Sequence, residues 1–395
     1  MIKLKKNTWT KIALNDCCEF QRGVTYSTKD EVDTDGIGIL RANNIIAENS
    51  KLNFDNLRLI RKEAKVKESQ KLRKNDILIC TASGSLDHIG KVAFAKEDTN
   101  YYAGGFMGII RPLEKEVEPN LLFNIFLSDR FTTFIQNQRA GTNIQNLKFS
   151  NLETFEIPLP PLSEQKQIAA LFQSIETAME QVDGQEKNLK ALQKSLVNGL
   201  LSKEPVYGNL LNTKNCTVTT FGEIAECDKK YPEHAQEVER FVGLEWLEAD
   251  NFQLQGFGLV ANGTTFTKRF AKGDVLFGKR RAYLKKIAVA DFDGICSGDI
   301  LVIRAKVKKM LQGLLPYYIS ADAFIQHAVS TSAGSLSPRT KWKDLADLEV
   351  SIPDIKTQST ILEVLQQLDK TVNQLKQQKT TLKHLKQKLL NEILG

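Results

Sequence analysis

Short apolar runs punctuated by Gly and Asp give way to longer helix-periodic stretches, and this succession occurs twice along the chain. The first copy holds DILICTA (76–82), KVAFA (91–95) and MGIIRP (107–112). The second holds DVLFG (274–278), KIAVADF (286–292) and DILVIRA (299–305). Runs of this length and composition predict β-strands. A helical stretch follows each set, at 121–137 and 314–330. In the first copy Pro158-Leu159-Pro160-Pro161 then forbids helix continuation, and Ser163 with Glu164 offers an N-cap and an early acid for a new helix.

That new helix carries heptads. Ile168, Leu171, Ile175, Ala178, Val182, Gln185, Leu189, Leu192, Leu196 and Gly199 are spaced 3-4-3-4. Ile361, Val364, Leu368, Thr371, Leu375, Gln378, Leu382, Leu385, Leu389 and Glu392 repeat the register. More than four heptads in register predict a coiled coil, the alternative being two separate core helices. Gln185 and Gln378 are the shared polar seam positions, expected to form a buried pair that fixes register.

The two copies superimpose without gaps from 140–201 onto 333–394, at an offset of 193 residues. Ala140-Gly141-Thr142 falls on Ala333-Gly334-Ser335, Phe149 on Trp342, Pro160 on Pro353 and Gln165 on Gln358. A duplicated domain–helix unit that closes on itself as a two-fold pair runs its helices antiparallel. The expected fold is therefore α+β: two mixed α/β domains, residues 1–162 and 202–355, each followed by a coiled-coil helix, 163–201 and 356–395. About 34 helical residues at ~1.5 Å each span roughly 50 Å, on the order of 15 base pairs of B-DNA.

The chain has 395 residues, 42% of them hydrophobic and 26% charged, an ordinary globular composition. No signal-peptide pattern or transmembrane run is expected, so a cytoplasmic setting without membrane attachment is the default. Six scattered cysteines and four histidines form no CxxC or zinc spacing, and no metal site is expected. The net charge of +7 permits a nucleic-acid partner without requiring one.

The basic residues cluster. Eight lie between Lys268 and Lys286 against one acid, interleaved with Phe270, Phe277 and Tyr283; eight lie between Arg58 and Lys74 against two acids. Such clusters can neutralise phosphates while polar side chains reach base edges, or can be solvated faces. At an offset of 195, Ser83-Gly84-Ser85-Leu86-Asp87-His88 takes the place of Gly278-Lys279-Arg280-Arg281-Ala282-Tyr283. Similar strands carrying unlike loops suit two different recognition tasks. Ser83, Ser85, His88, Lys91, Lys279, Arg280, Arg281 and Tyr283 are therefore candidate DNA contacts.

Catalytic signals are missing from the sequence. There is no GxxxxGK[ST] loop, no [DN]PP[FYW] tetrapeptide, and no Ser or Asp constellation beside His88. Gly256-Phe257-Gly258 precedes Asn262-Gly263 and reads as a turn. The chain is expected to have no catalytic residues of its own.

The segment Ile157-Pro158-Leu159-Pro160-Pro161-Leu162-Ser163-Glu164-Gln165-Lys166-Gln167-Ile168-Ala169 resembles the central conserved region of type I restriction–modification specificity subunits, the HsdS family. Ile352-Pro353-Asp354-Ile355-Lys356-Thr357-Gln358 stands where that family's distal conserved region belongs, with Lys356 and Thr357 replacing Ser163 and Glu164. The resemblance implies two target recognition domains, each reading half of a bipartite, asymmetric site in double-stranded DNA. It implies two adenine-N6 methyltransferase subunits on the helical frame and two ATP-driven restriction subunits. S-adenosylmethionine, ATP and Mg2+ would then belong to those partners. By position it adds Thr142, Asn143, Ser335 and Ser337, in the Gly-Ser/Thr loop before the helix, and Arg41, Asn43 and Asn44 as recognition-domain residues. Two other classes compete: an enzyme with its own active site, and a structural coiled-coil adaptor that binds no specific DNA. Activity of the purified chain marks the first; failure to bind specific DNA even with partners marks the second.

Overall fold

A computed structural model describes residues 9–140, 146–201, 216–228 and 238–394. The chain forms two compact units, Met1–Asp183 with Gln377–Gly395, and Gly184–Lys376. The first long helix, Leu162–Leu200, gives its N-terminal half to the first unit and the rest to the second. The second long helix, Ile355–Leu394, does the reverse.

In the first unit the strands Cys18–Arg22, Met107–Pro112, Ile77–Cys80 and Val92–Phe94 form an antiparallel sheet in that order. Ile77–Cys80 is buried at all four positions because both faces of the sheet are covered. Alternation sorts its side chains between two cores. Ile77 and Ile79 pack with Phe123, Phe126, Ile168 and Phe172, while Leu78 and Cys80 pack with Leu40, Ala103 and Ile109. A second sheet pairs Tyr102–Ala103 parallel to Ile37–Leu40, with Arg58–Ile60 beyond it.

The second unit repeats the plan. Ala225–Cys227, Ile300–Ala305, Val275–Gly278 and Ile287–Val289 make its antiparallel sheet, and Arg240–Val242 pairs parallel to Gly294–Cys296 in its second sheet. Both central strands are braced alike. Arg111 grips the buried Asp76 with two hydrogen bonds of 2.8 Å, and Arg304 grips the buried Asp274 at 2.7 Å. Each aspartate also accepts a backbone N–H three residues earlier, from Arg73 or Ala271, so the turn entering the strand is tied to its neighbour.

The expected helical stretches each break into two. Residues 121–137 become Pro119–Phe126 and Asp129–Ala140, interrupted at Ser128, whose hydroxyl donates to the Ile125 carbonyl. Residues 314–330 become Leu315–Ser320 and Asp322–Ser330, interrupted at Ala321 in extended conformation.

The roots of the long helices explain the duplicated motif. Gln165 is 2% exposed and Gln358 is fully buried. The Gln165 amide accepts from Glu118 N–H at 2.8 Å and donates to the carbonyls of Glu116 (3.2 Å) and Pro160 (2.9 Å). Gln358 accepts from Leu311 N–H at 2.9 Å and donates to Lys309 (3.0 Å) and Pro353 (2.9 Å). One amide thus closes two backbone segments onto each helix start. Ser163 does not cap: the helix begins at Leu162, because the Pro161 carbonyl already accepts from Glu164 and Gln165. In the second helix Asp354 caps by accepting from Thr357 N–H at 2.8 Å, which holds its carboxyl below the usual range.

Within each unit the helix segments run antiparallel. In the first, Glu176 pairs with Lys386 (2.7 Å) and Asp183 with Lys379 (2.5 Å), one heptad apart in opposite directions. In the second, Gln193 donates to Asp369 at 2.6 Å, and Val197 and Leu200 share a core with Leu365 and Ile361. The strict heptad seam does not hold to the helix ends. Leu192 and Leu385 are 48% and 43% exposed, whereas Val197, Leu200, Leu390 and Ile393 are buried. A straight helix drifts about 20° per heptad, and the ends follow the globular cores. Gln185 and Gln378 are exposed, so neither is the buried register residue expected of it.

Replacing Gln358 with Ala leaves one backbone donor and two carbonyls unpartnered and should cost on the order of 3 kcal/mol in urea unfolding. Gln165→Ala should cost a similar amount. A loss below about 0.5 kcal/mol would show that the amide network is not what holds the helix root.

Candidate nucleic-acid interface

In the second unit the loop after Val275–Gly278 and the loop before Trp342–Ala346 form one constellation. Lys279–Arg281 pairs with residues 338–340: Arg281 N–H donates to the Pro338 carbonyl at 2.8 Å, and Thr340 N–H to Lys279 at 3.1 Å. Ala333 and Arg339 exchange two backbone hydrogen bonds of 3.0 Å, closing the loop that contains Ser335, Leu336 and Ser337. Gly334 enters this loop at φ 110°, which favours glycine. The fold thus brings the two candidate loops of this unit together.

Its side chains interlock. Arg280 Nε donates to Ser337 Oγ at 3.2 Å, and Arg281 Nη2 to the Leu336 carbonyl at 3.4 Å. Ser335 is exposed, Tyr283 is 53% exposed and Leu336 is 89% exposed. Arg281 and Lys285 adopt left-handed backbone, φ 54° and 49°, on either side of the Ala282–Leu284 turn. For residues other than glycine this conformation carries strain, a feature that concentrates at functional loops.

Two members were missed from sequence: Asp299 and Arg339. Arg339 Nε and Nη2 reach the two Asp299 carboxylate oxygens at 2.7 and 3.3 Å, and Arg280 Nη1 lies 3.6 Å from Asp299. The Arg339 hydrogen bonds, helped by the charges of Arg280 and Lys279, hold the Asp299 carboxyl below the usual carboxylate range. Asp299 lies outside the basic run and Arg339 is an isolated Arg after a Pro, so only the fold reveals their pairing.

The first unit has the same backbone frame. Thr81 N–H donates to Phe106 at 2.9 Å, as Lys279 N–H does to Asp299 at 2.9 Å; Leu147 N–H donates to Thr81 at 2.7 Å, as Thr340 does to Lys279. Ala82 bridges Asn146, as Arg280 bridges Arg339. This frame corrects the loop alignment. The strands before the loops match at an offset of 198, so Lys279 stands on Thr81 and Gly278 on Cys80 rather than on Ser83. The strands after them match at 195, which makes the first-unit loop three residues longer.

The remaining candidates fare differently. Ser83, Ser85, His88 and Lys91 lie on that longer connection, Ser85 exposed and the others half-buried. Asn44 is withdrawn from the interface. It is 1% exposed, accepting from Arg41 N–H at 2.8 Å and donating to the carbonyls of Asn53 and Asn56, so its amide builds the turn. Arg41 is half-buried and Asn43 exposed on the same turn. Thr142 and Asn143 lie outside the described residues. In the Arg58–Lys74 cluster, Arg58, Arg61, Lys62 and Lys71 pair with Glu31, Asp30, Asp35 and Glu68, which reduces the charge it presents. Among the described residues no group of three or more His, Cys, Asp or Glu side chains could hold a metal, and no helix is long and apolar enough to cross a membrane.

Two copies of one frame bearing unlike side chains define a tandem-repeat protein. The type I restriction modification DNA specificity domain matches residues 6–191 and again 215–384, and the chain belongs to that family of DNA specificity subunits. It is 26% identical to the StySPI specificity subunit of Salmonella potsdam, over 91% of this chain and 82% of that one. It is 31% identical to the EcoKI specificity subunit of Escherichia coli K12, over 52% of this chain and 43% of that one. In fold it resembles the crystal structure of a type I restriction-modification S subunit from M. genitalium. The TM-score is 0.57 at 16% identity, over 100% of this chain and 98% of that one.

Arg280→Ala with Arg281→Ala should weaken recognition of one half-site and leave the other preference in place, read by binding to duplexes altered in either half. Equal loss on every sequence would mark both as phosphate contacts.

Proposed function

We propose that this chain is the non-catalytic specificity subunit of a type I restriction–modification complex that reads a bipartite, asymmetric site in double-stranded DNA, one half-site per unit. The observation that carries this reading is the repeated frame: Thr81, Ala82, Phe106 and Asn146 in one unit, Lys279, Arg280, Asp299 and Arg339 in the other. Matching backbone pairing with different side-chain donors and acceptors suits recognition of two unlike sequences, because base identity is read by side-chain chemistry at groove edges.

Two adenine-N6 methyltransferase subunits dock on the helical frame in this proposal, and two ATP-dependent restriction subunits join them. Methyl transfer, ATP hydrolysis and strand scission are assigned to those partners, which bind S-adenosylmethionine, ATP and Mg2+. The chain itself contributes recognition and spacing, in the cytoplasm.

Mapping N6-methyladenine across the genome, in a strain with this gene intact and in its deletion, tests the reading. Loss of a two-part methylated motif with a fixed gap is the expected result. An unchanged methylome, with the methyltransferase partner expressed, would favour a coiled-coil adaptor without sequence-specific DNA binding.

A further inference from the structure

We propose that Arg339 reads a guanine in the half-site of the second unit and that Asp299 is the positioning residue that aims it. The inference rests on the DNA-reading function proposed above and deepens it to one residue and one base.

The argument starts from the five N–H donors of a guanidinium. Asp299 takes Arg339 side-on, through Nε at 2.7 Å and Nη2 at 3.3 Å. That pairing uses one hydrogen on each of those nitrogens. It leaves the end-on edge, Nη1 with the other Nη2 hydrogen, as a planar two-donor fork. The major-groove edge of guanine presents two acceptors, N7 and O6, at the spacing such a fork matches. An acid beside the guanidinium limits its rotation, so less conformational entropy is lost when the base is engaged.

The mount is rigid as well. Both backbone groups of Arg339 are bonded to Ala333, and Asp299 accepts Lys279 N–H through its carbonyl. The Arg339 side chain is nevertheless 48% exposed, whereas that of Asp299 is 20% exposed, as expected of a reader and its support. Arg280 has its Nε on Ser337 and its Nη1 3.6 Å from Asp299, a longer and single contact beside the two hydrogen bonds that Arg339 makes. At the matching positions of the first unit stand Phe106 and Asn146, so the Arg339–Asp299 pair is not repeated there.

The test uses the full chain assembled with its methyltransferase partners and duplexes carrying every single-base change in the methylated motif. Arg339→Ala should abolish discrimination at one G·C pair of one half-site, a loss of roughly ten- to a hundred-fold, and leave all other positions unchanged. Arg339→Lys keeps the charge and loses the fork, so it should retain affinity while relaxing the same position. Asp299→Asn should relax that position partially, with thermal stability unchanged. Asp299→Asn combined with Arg339→Ala should be no worse than Arg339→Ala alone. Uniform weakening on all sequences, rescued by Lys, would make Arg339 a phosphate contact and overturn the proposal. Unchanged discrimination in Arg339→Ala would overturn it too. A lower melting temperature without altered base preference would reduce Asp299 to a structural residue. An unaltered chain that shows no two-part motif defeats the DNA-reading function itself, whereas a clear motif insensitive to these variants defeats only this assignment.

Discussion

A buried glutamine amide at the root of each long helix is the contact on which the rest of the architecture depends. Gln165 and Gln358 each satisfy a backbone donor and two carbonyls, one of which, that of Pro160 or Pro353, is bonded in a buried setting. The cost of leaving such groups unpaired is what makes the junction stiff. A globular unit joined to its helix through an ordinary loop could swivel; one clamped by three directional hydrogen bonds, with Phe172 or Leu365 packed into its core beyond them, holds its direction. The motif that the sequence displays twice is therefore a joint.

From that joint the labour divides. Buried Asp–Arg pairs and two-sided sheets fix the strands, and the strands present loops whose backbone hydrogen bonds agree between the units although their side chains do not. Recognition can then change by substitution at a handful of exposed positions while every buried partner stays in place. The Asp299 carboxyl, held below the usual range chiefly by the Arg339 hydrogen bonds, is one such polar partner between the two loops of the second unit.

Much of this was legible in the sequence. Six of the strands follow from short β-rich runs and both long helices from heptad spacing, and the duplication follows from the residue-by-residue match of the two copies. The equivalence of Gln165 and Gln358 was visible too, but its meaning was not, since a buried glutamine and an exposed one look alike in a polar stretch. Heptad spacing misled at Gln185, Gln378, Leu192 and Leu385, because a seven-residue repeat does not itself show which positions another element covers. Asn44 entered as a recognition-domain residue through the resemblance of its segment, and a resemblance in sequence does not show that its amide is spent on building the turn. Asp299 and Arg339, forty residues apart, meet only through strand pairing.

In the function proposed above, the length of the long helices sets the unread spacer between half-sites. Inserting one heptad into each long helix at the division between the units, after Asp183 and after Lys376, leaves the internal packing of both units intact. It adds about 10 Å, or roughly three base pairs. The methylated motif of that variant should keep both half-sites and widen its gap by about that amount. A motif with the original gap would contradict the account.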